Sequence, residues 1–209
     1  SSTGDPVNYL KNPGNVSAQN QRNVVDAIKS LDHSRNKTLQ EDDISTRISA
    51  YEMAFKMQTS VPELMDFSDE PKHIIDMYGA KQGDGTYATN CLLARRLAER
   101  GSRFIHLYHR GWDHHGGLEK YMDICCGLTD KPTWALFTDL KQRDMLKDTL
   151  IVWGGEFGRT PMYQGKGGAG RDHHMKGFSM WLAGGGIQGG TAYGETDELG
   201  YASVQENVH

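Results

Sequence analysis

The chain has 209 residues and a formal charge of −4, from 27 acidic and 23 basic residues. Hydrophobic residues make up 37% of it, which is enough for a packed core, so general disorder is excluded and one domain or a large part of one is expected. The acidic balance excludes the basic stripe that nucleic-acid binding requires. No run of about 18 apolar residues is present, so we expect no membrane span.

The first hundred residues are predicted to be mainly helical. Apolar residues recur at helical spacing over 18–31 and again over 42–57. Pro62 and Pro71 are expected to break the chain, and a third helix is predicted over 87–100. Charged residues in this half are expected to lie on the solvated faces of structural helices.

In the second half of the chain, the apolar residues no longer recur at helical spacing. Short apolar runs typical of buried strands occur at 104–108, 149–153 and 178–183. A helix is predicted to begin at Pro132, and strand, helix and strand with short links form a βαβ unit, which normally gives parallel strands. We therefore predict a doubly wound, mostly parallel α/β sheet flanked by helices, in a single domain over 1–209 whose segment 101–209 carries the βαβ unit.

Polar clusters lie beside all three predicted strands. They occupy 109–117, 154–160 and 170–174. Ligands of open parallel sheets bind beyond the carboxyl ends of the strands, so these clusters are predicted to converge on one site.

The three clusters contain side chains that suit a divalent metal ion. The candidate ligands are Asp113, His115, Glu156 and His173. Mixed nitrogen and oxygen ligands of this kind suit zinc, manganese or another divalent ion such as calcium. His114, Asp172 and His174 are alternatives, because doubled histidines leave the choice of ligand open. Arg159 and Arg171 carry planar guanidinium groups suited to phosphate or sulfate, and we predict that they stabilise charge on a reacting ester.

These motifs resemble those of a known family. The matching segments are 112–116 (Trp-Asp-His-His-Gly), 155–160 (Gly-Glu-Phe-Gly-Arg-Thr), 170–174 (Gly-Arg-Asp-His-His) and 182–187 (Leu-Ala-Gly-Gly-Gly-Ile). They closely resemble the bacterial domain-of-unknown-function 1501 family, a sulfatase-like branch of the alkaline phosphatase superfamily, over essentially the whole chain. The resemblance implies a doubly wound α/β fold and a divalent-metal ester hydrolase. Full-length members often carry a twin-arginine-type export signal, which suggests an exported or periplasmic protein.

The resemblance also implies roles for individual residues. Asp113 and His115 are similar to the ligands of one metal, with His173 completing the set, and Glu156 is similar to the carboxylate of a second metal. The superfamily usually has Asp-His at that second position, whereas here Phe157 follows Glu156.

Cys91 and His106 are interpreted as structural residues. Cys91 does not match the Cys-x-Pro-x-Arg segment that sulfatases convert to a formylglycine nucleophile, so we expect a buried helix residue. His106 alternates with apolar residues in a predicted strand and is interpreted as a core histidine.

The family's early strand and Gly-Gly-Pro-Ser type turn have no counterpart here, and relatives continue beyond the last residue. We therefore expect a fragment, truncated at both ends, that lacks the nucleophile.

The leading functional hypothesis is a metal-dependent hydrolase of sulfate or phosphate esters, acting on a small-molecule or carbohydrate ester. The alternative is a non-catalytic carbohydrate-binding or cell-surface protein that retains the fold and at most one structural metal. Fold analogy does not fix the substrate, and the sequence leaves the oligomeric state open.

Overall fold

The computed structural model describes residues 14–39, 42–165 and 169–205. Its helices are α1 (Ala18–Leu39), α2 (Asp42–Met65), α3 (Lys72–Tyr78), α4 (Tyr87–Glu99) and α5 (Leu118–Gln142). Its strands are β1 (Leu150–Gly154), β2 (Gly158–Arg159), β3 (His173–His174), β4 (Met180–Gly184), β5 (Glu195–Thr196) and β6 (Ser203–Gln205). The chain forms two compact units, the first holding the described residues up to Glu70 together with Gln82–Gly85, the second holding Pro71–Lys81 and the described residues from Thr86 onward.

The first unit is built on the helix pair α1 and α2. The Oγ of Ser17 accepts a hydrogen bond from the backbone N–H of Asn20 at 3.1 Å and so caps the start of α1. At the other end of the pair, the side chain of Gln82 donates to the carbonyl oxygen of Met65 at 2.7 Å, which satisfies one of the last carbonyls of α2. The predicted break at Pro62 is wrong, since α2 continues through it. Pro62 lies in the last turn, where its missing N–H removes a single intrahelical hydrogen bond.

The second unit has its apolar core between α3, α4 and α5. The buried hydrophobic residues of these helices are Ile74, Tyr78, Cys91, Leu92, Leu93, Ala94, Cys125, Ala135 and Leu140. The Oγ1 of Thr86 accepts the N–H of Thr89 at 3.2 Å and caps α4, which confirms the predicted helix and the burial of Cys91. α5 begins at Leu118 and passes through Pro132, so the predicted start at Pro132 is wrong.

A buried ion pair joins α4 to α5. Arg95 and Asp139 are each only 1% exposed, and Nε of the arginine lies 2.9 Å from Oδ2 of the carboxylate. Arg143 and Glu99 extend the pair at its open side, with 2.7 Å between Nε of Arg143 and Oδ1 of Asp139 and 2.6 Å between Nη1 of Arg95 and Oε2 of Glu99. The hydroxyl of Tyr78 donates to Oδ2 of Asp139 at 3.1 Å.

The expectation that charged residues of α4 face solvent is therefore wrong for Arg95, and also for Arg96, which is buried. Four residues separate Arg95 from the core residue Cys91, so the helical period places both on one face. Composition alone could not reveal that Asp139 of a later helix neutralises this arginine.

The strands form three two-stranded antiparallel sheets in the described part of the chain. β1 and β4 occur where the sequence predicts strands, but they pair antiparallel, with Trp153 opposite Trp181. Between them the described chain contains the antiparallel pair β2–β3 and no helix, whereas a parallel pair needs a crossover, usually helical. The fold is thus a mixture of helices and small antiparallel sheets, and the doubly wound parallel sheet is not what these strands form.

The segment 104–108 forms no strand, contrary to prediction. Phe104 is 82% exposed and His106 is also exposed, with Nδ1 3.1 Å from the hydroxyl of Tyr108. The interpretation of His106 as a core histidine is therefore wrong. Among the described helices, none is both long and apolar enough to cross a membrane.

Candidate metal centre

Asp113, His115 and His173 bring three possible ligand atoms together. Oδ1 of Asp113 lies 2.9 Å from Nε2 of His115 and 3.0 Å from Nε2 of His173. The two ring nitrogens are 3.1 Å apart, so the three atoms form a nearly equilateral triangle. Within the described residues, these three side chains are the group whose possible ligand atoms lie close enough together for one metal ion. We call them the ligand triad.

The spacing of the triad fits a divalent ion. Ligand atoms bonded at about 2.0–2.2 Å are separated by roughly 3 Å when they occupy one face of an octahedron. The three observed edges, 2.9, 3.0 and 3.1 Å, match that separation. All three side chains are exposed, so the opposite side of such an ion would be open to water or to a substrate.

Backbone hydrogen bonds hold the two parts of the triad together. The loop that carries Asp113 and His115 is joined to the chain before β3, because the N–H of Arg171 donates to the carbonyl oxygen of His114 at 2.9 Å. β3 in turn pairs with β2, which sets Arg159 opposite His173. These hydrogen bonds hold Asp113 and His173, which are 60 positions apart in the chain, next to each other.

Gln164 orients the imidazole ring of His115 through a hydrogen bond. Its Oε1 lies 2.7 Å from Nδ1 of the imidazole. An amide oxygen only accepts hydrogen bonds, so with this orientation of Gln164 Nδ1 carries a proton and Nε2 is the ring nitrogen that faces Asp113. An unprotonated Nε2 of His115 and the carboxylate oxygen of Asp113, 2.9 Å apart, would repel each other unless a proton or a metal ion lay between them. Sequence reasoning missed Gln164, which lies outside the three clusters and carries no motif.

Arg159 contacts the triad directly. Its Nη1 donates to Oδ1 of Asp113 at 2.5 Å. This hydrogen bond, together with the one from His173, lowers the pKa of Asp113 to about 2. Asp113 is therefore a carboxylate at neutral pH, which is the form that binds metal ions.

The structure does not bring Glu156 into the triad. Its Oε1 lies 3.5 Å from Nη2 of Arg159, and it is not a member of the group that can hold an ion. The other predicted arginine, Arg171, donates from Nη1 to the carbonyl oxygen of Gly170 at 2.8 Å. Among the predicted residues, the structure thus brings together one group of three possible ligands, with Arg159 in contact with it.

In each pair of adjacent histidines, one contacts a backbone carbonyl oxygen and the other belongs to the triad. His114 is buried, with Nε2 2.6 Å from the carbonyl oxygen of Gly111, and His174 has Nε2 2.9 Å from the carbonyl oxygen of Gly200. Both are held by backbone, whereas their neighbours His115 and His173 face each other. Asp172, the third alternative, accepts the N–H of His173 at 2.8 Å through its Oδ1. It supports the strand that carries a ligand.

Comparison with known proteins gives one match. The family described as "Protein of unknown function (DUF1501)" matches residues 1–209. No curated protein and no solved structure gave a significant match.

Proposed function

Because the chain belongs to the DUF1501 family, whose function is unknown, its chemistry has to be inferred from the site, and we propose that it holds the metal centre of a sulfate or phosphate ester hydrolase. The observation that carries the proposal is the ligand triad, with its three donor atoms about 3 Å apart. The proposal places the family in the sulfatase-like branch of the alkaline phosphatase superfamily.

Asp113, His115 and His173 would hold the ion, for which zinc, manganese and calcium are the candidates. The edges of about 3 Å suit bonds of about 2.0–2.2 Å better than the bonds of about 2.3–2.6 Å that calcium forms. When bound, it would supply a Lewis acid that polarises an oxygen of the ester. The grouped side chains offer ligands for one ion, because Glu156 lies outside the triad.

Arg159 supports the reaction from beside the triad. Its guanidinium group keeps Asp113 ionised and also lies near Glu156, on the exposed side of the site. A guanidinium group matches two oxygens of a tetrahedral anion, so Arg159 is suited to orient a sulfate or phosphate ester and to stabilise the charge that develops on it. The role of Arg171 as a second such group stays a prediction.

The proposal is tested by measuring how fast the purified protein, produced at its natural length, hydrolyses 4-nitrophenyl sulfate and 4-nitrophenyl phosphate. Metal is removed with EDTA, and Zn²⁺, Mn²⁺ or Ca²⁺ is restored in turn. We expect metal-dependent release of 4-nitrophenol that falls by about 100-fold or more in His115→Ala. The control is His73→Ala, which removes an exposed histidine of α3 and should leave the rate unchanged. Metal binding without turnover of either ester would instead favour the non-catalytic alternative.

A further inference from the structure

All four tryptophans of the chain line one cavity of about 660 Å³ in the second unit. They are Trp112, Trp134, Trp153 and Trp181. This volume lies within the range of about 300–1,000 Å³ that is usual for small-molecule sites. We call it the tryptophan cavity.

The indole rings form walls at right angles to each other. Trp153 and Trp181 are cross-strand partners on β1 and β4, with rings 10° from parallel and centroids 6.2 Å apart. The ring of Trp112 is at 90° to that of Trp153, with centroids 6.1 Å apart. Trp134 stands on α5 and is 56% exposed. Flat aromatic faces in two perpendicular directions offer both stacked and edge-to-face contacts to a planar ring.

The polar groups of the cavity are few, and this restricts the ligand. The hydroxyl of Thr133 is already 3.2 Å from the hydroxyl of Tyr87, and that of Thr129 donates to the carbonyl oxygen of Cys125 at 2.9 Å. Among the described residues of the lining, Asp130 is the one with a carboxyl group, and its charge disfavours an anion. A saccharide would bring several hydroxyls for which the lining has few partners, and each unpaired polar group costs binding free energy.

We infer that the tryptophan cavity binds a planar, uncharged aromatic ring system. Trp112 directly precedes Asp113, so the cavity wall and the ligand triad belong to one loop, with the two Cα atoms about 3.8 Å apart. The assignment of this ring to the alcohol part of an aryl sulfate or phosphate ester rests on the proposed function. The inference that the cavity binds such a ring is independent of the proposed function.

The experiment is a calorimetric titration of the protein with 2-naphthol in EDTA, together with nuclear magnetic resonance of the four indole N–H groups. We expect a Kd on the order of 10–100 μM and shifted indole signals. Trp134→Leu keeps an apolar side chain at an exposed helix position but removes the ring, and should weaken binding by about 10-fold. Trp153→Leu, a second variant within the cavity, should do the same.

Two controls separate this site from the metal centre. Phe104→Leu removes an exposed aromatic ring that is not in the lining, and should bind 2-naphthol like the unmodified protein. Asp113→Asn disables the ligand triad and should also leave this binding unchanged, so the cavity can be confirmed even if the proposed hydrolase activity fails. Absence of heat and of indole shifts would overturn the proposal, as would tighter binding of cellobiose or choline than of 2-naphthol.

Discussion

A Cβ atom added to Gly170 would lie 2.2 Å from the carbonyl oxygen of His115. Real side chains do not approach a backbone oxygen so closely, so the chain before β3 can lie against the ligand loop only with glycine at this position. The next residue, Arg171, donates its N–H to the carbonyl oxygen of His114 at 2.9 Å. This close approach therefore sets the distance between His115 and His173.

Gly170→Ala should separate the ligand loop from β3 and weaken metal binding by about 10-fold or more, because ligand atoms have to be placed within about 0.5 Å. The matched control is Gly116→Ala, also next to His115, where a Cβ meets nothing within 4 Å. Affinity for Mn²⁺ is measured by competition with a chelator. Equal affinities for the two variants would contradict the role of Gly170.

Gln164→Ala should lower metal affinity by about 10- to 100-fold, the usual effect of removing a partner that orients a histidine ligand. Gln164→Glu keeps an acceptor 2.7 Å from Nδ1 and should preserve binding. The control, Gln188→Ala, changes an exposed glutamine elsewhere in the second unit. If Gln164→Ala and Gln188→Ala bind metal alike, the hydrogen bond to His115 does not position the ligand.

The cluster of possible metal ligands is more predictable from the sequence than the sheet around it. The imidazole and carboxylate groups predict a ligand set of Asp113, His115, Glu156 and His173. The structure brings three of these together and leaves Glu156 outside the group. The apolar run at 149–153 predicts a strand, but such a run has no direction, so the antiparallel pairing with β4 could not be derived from it.

Other features depend on contacts between distant segments. The choice of His115 over His114 follows from a carbonyl oxygen at Gly111 that engages His114, and the role of Gln164 follows from a contact across 49 residues. The tryptophan cavity arises from β1, β4, α5 and the ligand loop, whose tryptophans are far apart in the chain. Local sequence patterns contain none of this information.

Asp139→Ala should destabilise the second unit by about 3–5 kcal/mol, since it removes the buried carboxylate that pairs with the buried guanidinium group of Arg95 and leaves it with the more exposed Glu99. Lys72→Ala is the control, because it breaks an exposed ion pair with Asp76 and should cost less than about 1 kcal/mol. Urea denaturation followed by circular dichroism gives both free energies of unfolding. Similar values for the two variants would show that the buried pair is not a major source of stability.

Stability should fall as the pH rises from about 9 to about 12. Burial raises the pKa of the Cys91 thiol from 9.0 to about 12, and burial, with Cys91 next to it, raises the pKa of Tyr87 from 10.0 to about 12. Both groups stay neutral in the folded chain while they ionise in the unfolded chain, so their stabilising contribution is complete below pH 9 and is lost as the pH approaches 12.

Urea midpoints at pH 8, 9, 10 and 11 measure this dependence. In Cys91→Ala the decline with pH should be shallower, whereas in Cys126→Ala, which changes an exposed cysteine, it should match that of the unmodified protein. Identical slopes in the two variants would exclude Cys91 as a source of the alkaline sensitivity.

The most direct test of the metal centre is elemental analysis of the purified protein after dialysis against buffer that contains Zn²⁺, Mn²⁺ or Ca²⁺. With one of these ions we expect about one equivalent per chain. The equivalent should be lost in a variant that combines Asp113→Asn with His173→Ala and retained in Glu156→Gln, since Glu156 lies outside the ligand triad. A protein that holds none of the three ions, or whose metal content survives the double substitution, would contradict the assignment of the centre to Asp113, His115 and His173.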